Sequence, residues 1–137
     1  MAFLDTNVLI YAVSRRSDDA EKSAIARALI QPSGQFISLQ VLQEFYRVAT
    51  HPKKLAYTHL EAVRFCDGWR QIFTVVEPTL EMFDESLSIC ERYQTSYFDA
   101  AILAAASLRM CQVVYSEDLN DGQQYGSVSV VNPFRAI

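Results

Sequence analysis

No apolar run in this 137-residue chain reaches the roughly 18 residues that a membrane span requires, so no membrane anchor is expected. The opening residues Met1-Ala2-Phe3-Leu4-Asp5 lack a basic segment and a long apolar stretch, which excludes a signal peptide as the expected reading. The three cysteines, Cys66, Cys90 and Cys111, are odd in number, widely spaced and form no CxxC pair. They fit buried thiols in a reducing, cytoplasmic setting rather than a disulfide scaffold or a zinc site. Positive charge is also short: the net charge is −4, which argues against nucleic-acid binding through a large basic surface. Clustered carboxylates would bias that count, and a bound cation would reverse the local sign where they converge. No serine–histidine pair or reactive cysteine points to covalent catalysis.

What is present is one ordinary domain's length, half of it hydrophobic, with no repeat, low-complexity tract or linker. Ala2 to Leu4 reads as a short buried strand. Asp18 to Ile30 has helical spacing and is ended by Pro32-Ser33-Gly34. Phe36 to Ser38 reads as a second strand and Leu39 to Thr50 as a helix closed by Pro52. Thr58 to Ile72 is helical with Thr58 as cap, Phe73 to Val76 is a strand, and Thr79 caps a helix reaching Tyr93. Ser96 begins a helix running to Met110, followed by strands at Gln112 to Tyr115 and Ser127 to Val131. Short apolar strands alternating with helices predict an α/β fold, a mostly parallel central sheet flanked by helices on both faces.

Four acids sit where these elements begin or end: Asp5, Glu44, Asp99 and Asp118. Ligands of open α/β sheets bind beyond the carboxyl ends of the strands. Asp5 follows the first strand and Asp118 the strand ending at Tyr115. Glu44 lies in the helix entered from Ser38, and Asp99 in the first turn of its own helix. All four are therefore expected to face one crevice, each held against apolar neighbours, with Asp99 buried. Each also has an ordinary use. Asp99 completes a capping-box pattern with Ser96, Glu44 edges an apolar stripe, Asp5 is placed to cap a short helix through Val8 to Ile10, and Asp118 precedes the turn-forming Asn120-Asp121-Gly122. Only the constellation decides.

Two like charges about 4 Å apart repel by about 4 kcal/mol at an effective dielectric of about 20. Converging acids therefore call for a cation. The donors are all oxygens, and His51 and His59 lie away from them in sequence, so Mg²⁺ or Mn²⁺ suits the set better than zinc. Hydrolysis of a phosphodiester is the chemistry such a set performs.

Phe3-Leu4-Asp5-Thr6-Asn7-Val8-Leu9, Val41-Leu42-Gln43-Glu44-Phe45, Ser96-Tyr97-Phe98-Asp99-Ala100-Ala101-Ile102, Tyr115-Ser116-Glu117-Asp118-Leu119 and Val131-Asn132-Pro133-Phe134 occur in this order. Together they resemble the PIN domain, in particular the VapC-type ribonuclease toxins, over nearly the whole chain, which implies a single PIN-like nuclease domain spanning 1–137. The resemblance implies that Asp5, Glu44 and Asp99 are metal-binding acids, and that Asp118 is the fourth, with Asp121 a second candidate for that place. Thr6, Asn7 and Ser116 match polar residues that order the site. It further implies an RNA substrate, such as tRNA or rRNA, an inhibitory VapB-like antitoxin, and a homodimer. A non-toxin PIN nuclease of RNA processing and a catalytically inactive PIN-like binding module are the alternatives.

Two other acid-bearing families fail on single residues. A haloacid-dehalogenase-type phosphatase needs an aspartate where Asn7 stands, and a receiver-type domain needs a late lysine, whereas the lysines end at Lys54. Arg15, Arg16, Arg47, His51, Lys53 and Lys54 are candidates for RNA phosphates, and Tyr11, Tyr46 and Tyr57 for base stacking or packing. Phe65, Trp69, Phe73, Tyr93 and Phe134 exceed what a small core obviously requires; they are either simply core or part of an apolar groove for the antitoxin.

Overall fold

The computed structural model describes residues 1–135. Its centre is a six-stranded sheet in the order β3-β2-β1-β4-β6-β5. The strands are β1 (Ala2–Leu4), β2 (Phe36–Ser38), β3 (Thr74–Val76), β4 (Val113–Tyr115), β5 (Gln124–Tyr125) and β6 (Val128–Val131). All neighbours pair in parallel except β5, which runs antiparallel to β6. The helices are α1 (Thr6–Val13), α2 (Ala20–Leu29), α3 (Leu39–Thr50), α4 (His59–Ile72), α5 (Leu80–Tyr93) and α6 (Tyr97–Leu108), with a 3₁₀ turn at Ser17–Asp19. Helix α1 packs between α2 and α3, and α3 packs on α4, while α5 and α6 pair as a second layer. The expected α/β architecture is what the chain adopts.

Strand order places the site. The chain leaves β1 with β2 on one side and β4 on the other. Connections diverging from a central strand open a crevice beyond its carboxyl end. Register fixes what meets there: Leu4 pairs with Tyr115, so the next residues, Asp5 and Ser116, emerge side by side. The Asp5 amide donates to the Tyr115 carbonyl at 3.0 Å, and the Ser116 amide to the Val131 carbonyl at 3.1 Å.

The helices are aimed by burial. In α3, Val41, Leu42, Phe45 and Ala49 form the buried stripe, leaving Glu44 at its margin. In α6 every residue from Ala100 to Ala106 is buried, as expected of a helix apolar all round. Its alanines let the helix lie against β2, β4 and β6. Phe45, Tyr57, Phe65, Trp69 and Phe73 pack into one cluster, with Phe45 edge-on to Trp69 at 5.7 Å between ring centroids. Trp69, Phe73 and Phe134 are buried, and Tyr93 packs on Tyr125. The aromatic surplus read from the sequence is therefore core and not a groove. Cys66, Cys90 and Cys111 are free thiols, and burial raises the pKa of Cys66 and Cys111.

Caps set the helix starts. Ser38, Thr58, Thr79 and Ser96 each accept from a backbone amide of the first turn, and Thr58 with Glu61 completes a capping box. The Thr79 hydroxyl accepts from the Met82 amide at 3.1 Å. Thr79→Ala is expected to cost about 1 kcal/mol, read as a lower urea midpoint with an unchanged slope.

The structure lengthens one element of the sequence reading and adds a short strand. Helix α1 is a full eight residues, capped by Asp5. It is apolar on most sides, so no amphipathic stripe marks its length. Strand β5 has only two residues, too short for any alternation to show. Among the described residues, no helix is long and apolar enough to cross a membrane.

Candidate active site

Asp5 is the floor of the site. It is 7% exposed, and both carboxylate oxygens are engaged: Oδ1 accepts from the Thr6 amide and Oδ2 from the Ser116 hydroxyl, each at 2.7 Å. Burial raises its pKa from 3.8 to about 6, and the charges of Asp118 and Glu44 add to that rise against the lowering effect of the two hydrogen bonds. A buried carboxylate beside two others is costly to ionise.

Around it the polar residues tie the other acids down. Thr6 Oγ1 donates to Glu44 Oε2 at 3.0 Å. Asn7 Nδ2 donates to Asp118 Oδ2 at 3.3 Å, while Asn7 Oδ1 accepts from the Glu117 amide at 3.2 Å. The Ser116 hydroxyl also accepts from the amides of Asp118 and Leu119, at 3.1 and 3.3 Å. One serine thus fixes both Asp5 and the loop that presents Asp118. Thr6, Asn7 and Ser116 each touch an acid.

Asp99 stands differently. It is exposed, contrary to the expected burial. The reason is position: it lies in the first turn of α6, ahead of the run that packs on the sheet. Its amide donates to Ser96 Oγ at 3.3 Å, but the reciprocal half of the expected capping box is not formed, which leaves the carboxylate free of that duty. Gln40 joins this helix end to the rest. Its Nε2 donates to Glu44 Oε1 at 3.1 Å and to the Phe98 carbonyl at 3.3 Å.

Asp118 is exposed rather than held against apolar neighbours. Asp121 faces elsewhere: its Oδ2 pairs with Arg135 at 2.6 Å and its Oδ1 accepts from the Asn132 amide at 2.7 Å, interactions that hold its carboxyl below the usual range. It is bound to the chain's end, not to the group around Asp5.

Above the acids opens a cleft of about 480 Å³. Thr6, Asn7, Glu44 and Asp118 line it, and so do Arg16, Arg47, Lys53 and Lys54. None of these four cations forms an ion pair among the described residues. Arg15 is not part of this wall; its guanidinium lies 4.2 Å from the centre of the Tyr57 ring. Of the three tyrosines considered for stacking, Tyr11 lines the cleft. Tyr57 is buried, and Tyr46 bonds His59 at 2.8 Å.

Two features escaped sequence reasoning. Lys22 pairs with Glu117 at 2.6 Å and Tyr11 donates to the same carboxylate at 2.7 Å, anchoring the loop beside Asp118. No local spacing signals contacts across about a hundred residues. Gln40 carried a signal: it precedes Glu44 by four, the spacing at which helical side chains meet.

Asp5, Glu44 and Asp118 offer only hard oxygens, and none of them pairs with a basic side chain among the described residues. That uncompensated charge is what a divalent ion relieves. As the side chains stand, no three of the described acids are close enough to hold a metal ion. The chemistry of the donors fits, while the ligand geometry is not preformed.

The PIN domain family matches residues 2–120. A search of curated proteins matched none. Among solved structures, a toxin–antitoxin complex from Klebsiella pneumoniae superposes with a TM-score of 0.71 at 21% identity, covering 98% of this chain and 98% of that one. Mycobacterium tuberculosis VapC20, described as a sarcin–ricin-loop-cleaving toxin, gives 0.67 at 17% identity over 86% of this chain and 90% of that one. VapBC2 from Rickettsia felis, solved with a promoter DNA fragment, gives 0.64 at 13% identity over 94% and 96%. At these identities the likeness speaks for the fold. The sheet order, the acids gathered beyond β1 and β4, and a family match over most of the length lead to one placement: the chain belongs to the PIN domain family.

Proposed function

We propose that this chain is a divalent-cation-dependent endoribonuclease of the VapC toxin type, a single domain over residues 1–137 that cuts structured RNA in the cytoplasm and is restrained by an antitoxin. The observation that carries the reading is one cleft in which Glu44 and Asp118, whose charges help raise the pKa of the buried Asp5, share the wall with Arg16, Arg47, Lys53 and Lys54, none of them in an ion pair among the described residues. The antitoxin partner is supported by the toxin–antitoxin complexes that share the fold, while a homodimeric state belongs to the proposal through the family resemblance alone.

In this reading Asp5, Glu44, Asp99 and Asp118 hold Mg²⁺ or Mn²⁺. When bound, the ion lowers the pKa of a water and offsets charge on the phosphate oxygens. The chain's own residues do the rest. Ser116 and Thr6 keep Asp5 and Glu44 in place. Asn7 orients Asp118, which takes the place of the fourth acid in preference to Asp121. Arg16, Arg47, Lys53 and Lys54 grip backbone phosphates and set the strand's register over the acids. One of these carboxylates would also accept the attacking water's proton.

The test incubates purified protein with bulk cellular RNA in Mg²⁺, Mn²⁺ or EDTA, with Asp5→Asn and Asp99→Asn alongside. Discrete cuts that need the cation and vanish in both variants are expected. Cutting of equal strength by the variants would assign the activity to another site or a contaminant.

A further inference from the structure

Resting on the cation reading above, we propose that Gln40 is a positioning residue that sets Glu44 and the first turn of α6 at the spacing a divalent ion needs. A glutamine four residues before a glutamate on one helix often makes a local surface pair. What distinguishes this one is its second proton. The same Nε2 that donates to Glu44 Oε1 at 3.1 Å donates to the Phe98 carbonyl at 3.3 Å, 58 residues away. An amide NH₂ has two donors, and here both are used to bridge α3 and α6. Glu44 Oε2 is already held by Thr6, so Gln40 completes the restraint of this carboxylate from the opposite oxygen. Phe98 is the residue before Asp99, and no side chain among the described residues bonds the Asp99 carboxylate. The Gln40 bridge therefore links the helix carrying Glu44 to the residue preceding Asp99.

The acids are not preformed into a ligand set, so their separation has to be adjusted when an ion binds. A strap that limits the travel of two of them reduces that cost. Removing partners that orient metal ligands typically weakens metal binding by about 10–100-fold.

The experiment is a Mn²⁺ titration read by thermal shift and by calorimetry on the full chain, in wild type, Gln40→Met, Gln40→Ala and Gln43→Ala. Gln40→Met keeps the bulk and helix propensity but loses both donors. Gln43 lies on the same helix, is exposed and makes no such bridge. Gln40→Met and Gln40→Ala are expected to raise the Mn²⁺ concentration for half-maximal stabilisation about tenfold, with cation-free melting close to wild type, and Gln43→Ala to leave the midpoint unmoved. RNA cleavage by Gln40→Met should recover toward the wild-type maximum at high Mn²⁺, a rescue that a folding defect would not show. A wild-type midpoint in Gln40→Met overturns the positioning role and leaves the cation reading intact. A wild type that Mn²⁺ does not stabilise overturns the cation reading itself, and the role of Gln40 with it.

Discussion

Asp5→Asn should lower RNA cleavage by at least about a hundredfold, since even partners one step removed from a metal typically cost 10–100-fold, and should make the cation-free protein more stable at pH 7. The two effects share one cause. Burial and the neighbouring charges of Asp118 and Glu44 raise the Asp5 pKa from 3.8 to about 6. A carboxyl whose folded pKa exceeds its unfolded value holds its proton more tightly when folded. Its contribution to stability is fully present below about pH 3.8 and is lost as pH rises through about 6. A shift of this size corresponds to a loss of about 3 kcal/mol across that window, at 1.36 kcal/mol per pH unit. Asparagine keeps an oxygen for the Thr6 amide or the Ser116 hydroxyl and never ionises. The variant should therefore lack this fall, and chemical denaturation at pH 4, 5, 6 and 7 in EDTA would show it. Mn²⁺ should reverse the order: wild type gains stability by mass action, and the variant gains much less. An Asp5→Asn protein that loses stability between pH 4 and 7 as steeply as wild type would remove the claim that Asp5 is held against its own charge.

Part of the candidate site was legible in the sequence because strand geometry places it. Asp5 reveals itself as an acid directly after an apolar strand, and Ser116 as a hydroxyl directly after another. Strand ends are fixed by short apolar runs, and parallel register carries Asp5 and Ser116 to the same place. Glu44 was legible through the buried stripe of α3. Asp99 was legible as a first-turn residue of α6 but not in its exposure, and it is neither in the wall of the cleft nor among the charges that raise the Asp5 pKa. The periodicity of α6 describes the helix interior, and its first turn projects past the sheet, where periodicity says nothing. That Asp121 turns away from Asp5 could not be read locally, because Arg135 and Asn132 hold it from more than ten residues away. The cations follow the same rule. Arg15 and Arg16 are adjacent in sequence, yet one lies over Tyr57 and the other lines the cleft. A loop residue's direction is set by tertiary contacts that no spacing records.

Replacing Arg47, Lys53 and Lys54 together by alanine should change how RNA binding responds to salt, more than it changes anything about the fold. All three are exposed and line the cleft, and none forms an ion pair among the described residues. Their removal therefore breaks no internal interaction of note, and the urea midpoint should stay near wild type. Each phosphate neutralised by a protein cation releases condensed counterions, with a slope of about 0.7 per contact for single strands. Three lost contacts should flatten the plot of log affinity against log salt by about 2. Between 50 and 200 mM salt, wild type should then lose roughly fifteenfold more affinity than the triple variant. The weakening should be uniform across RNA sequences, because phosphate contacts position the strand and carry no base information. Binding measured in EDTA by filter retention or fluorescence polarisation isolates this term from cleavage. Arg15→Ala is the internal contrast, since its guanidinium is occupied by Tyr57, and it should leave the salt slope unchanged. If the triple variant keeps the wild-type slope, RNA does not run through this cleft. The net charge of −4 then has its plain meaning, and the acids face a substrate that arrives by another surface.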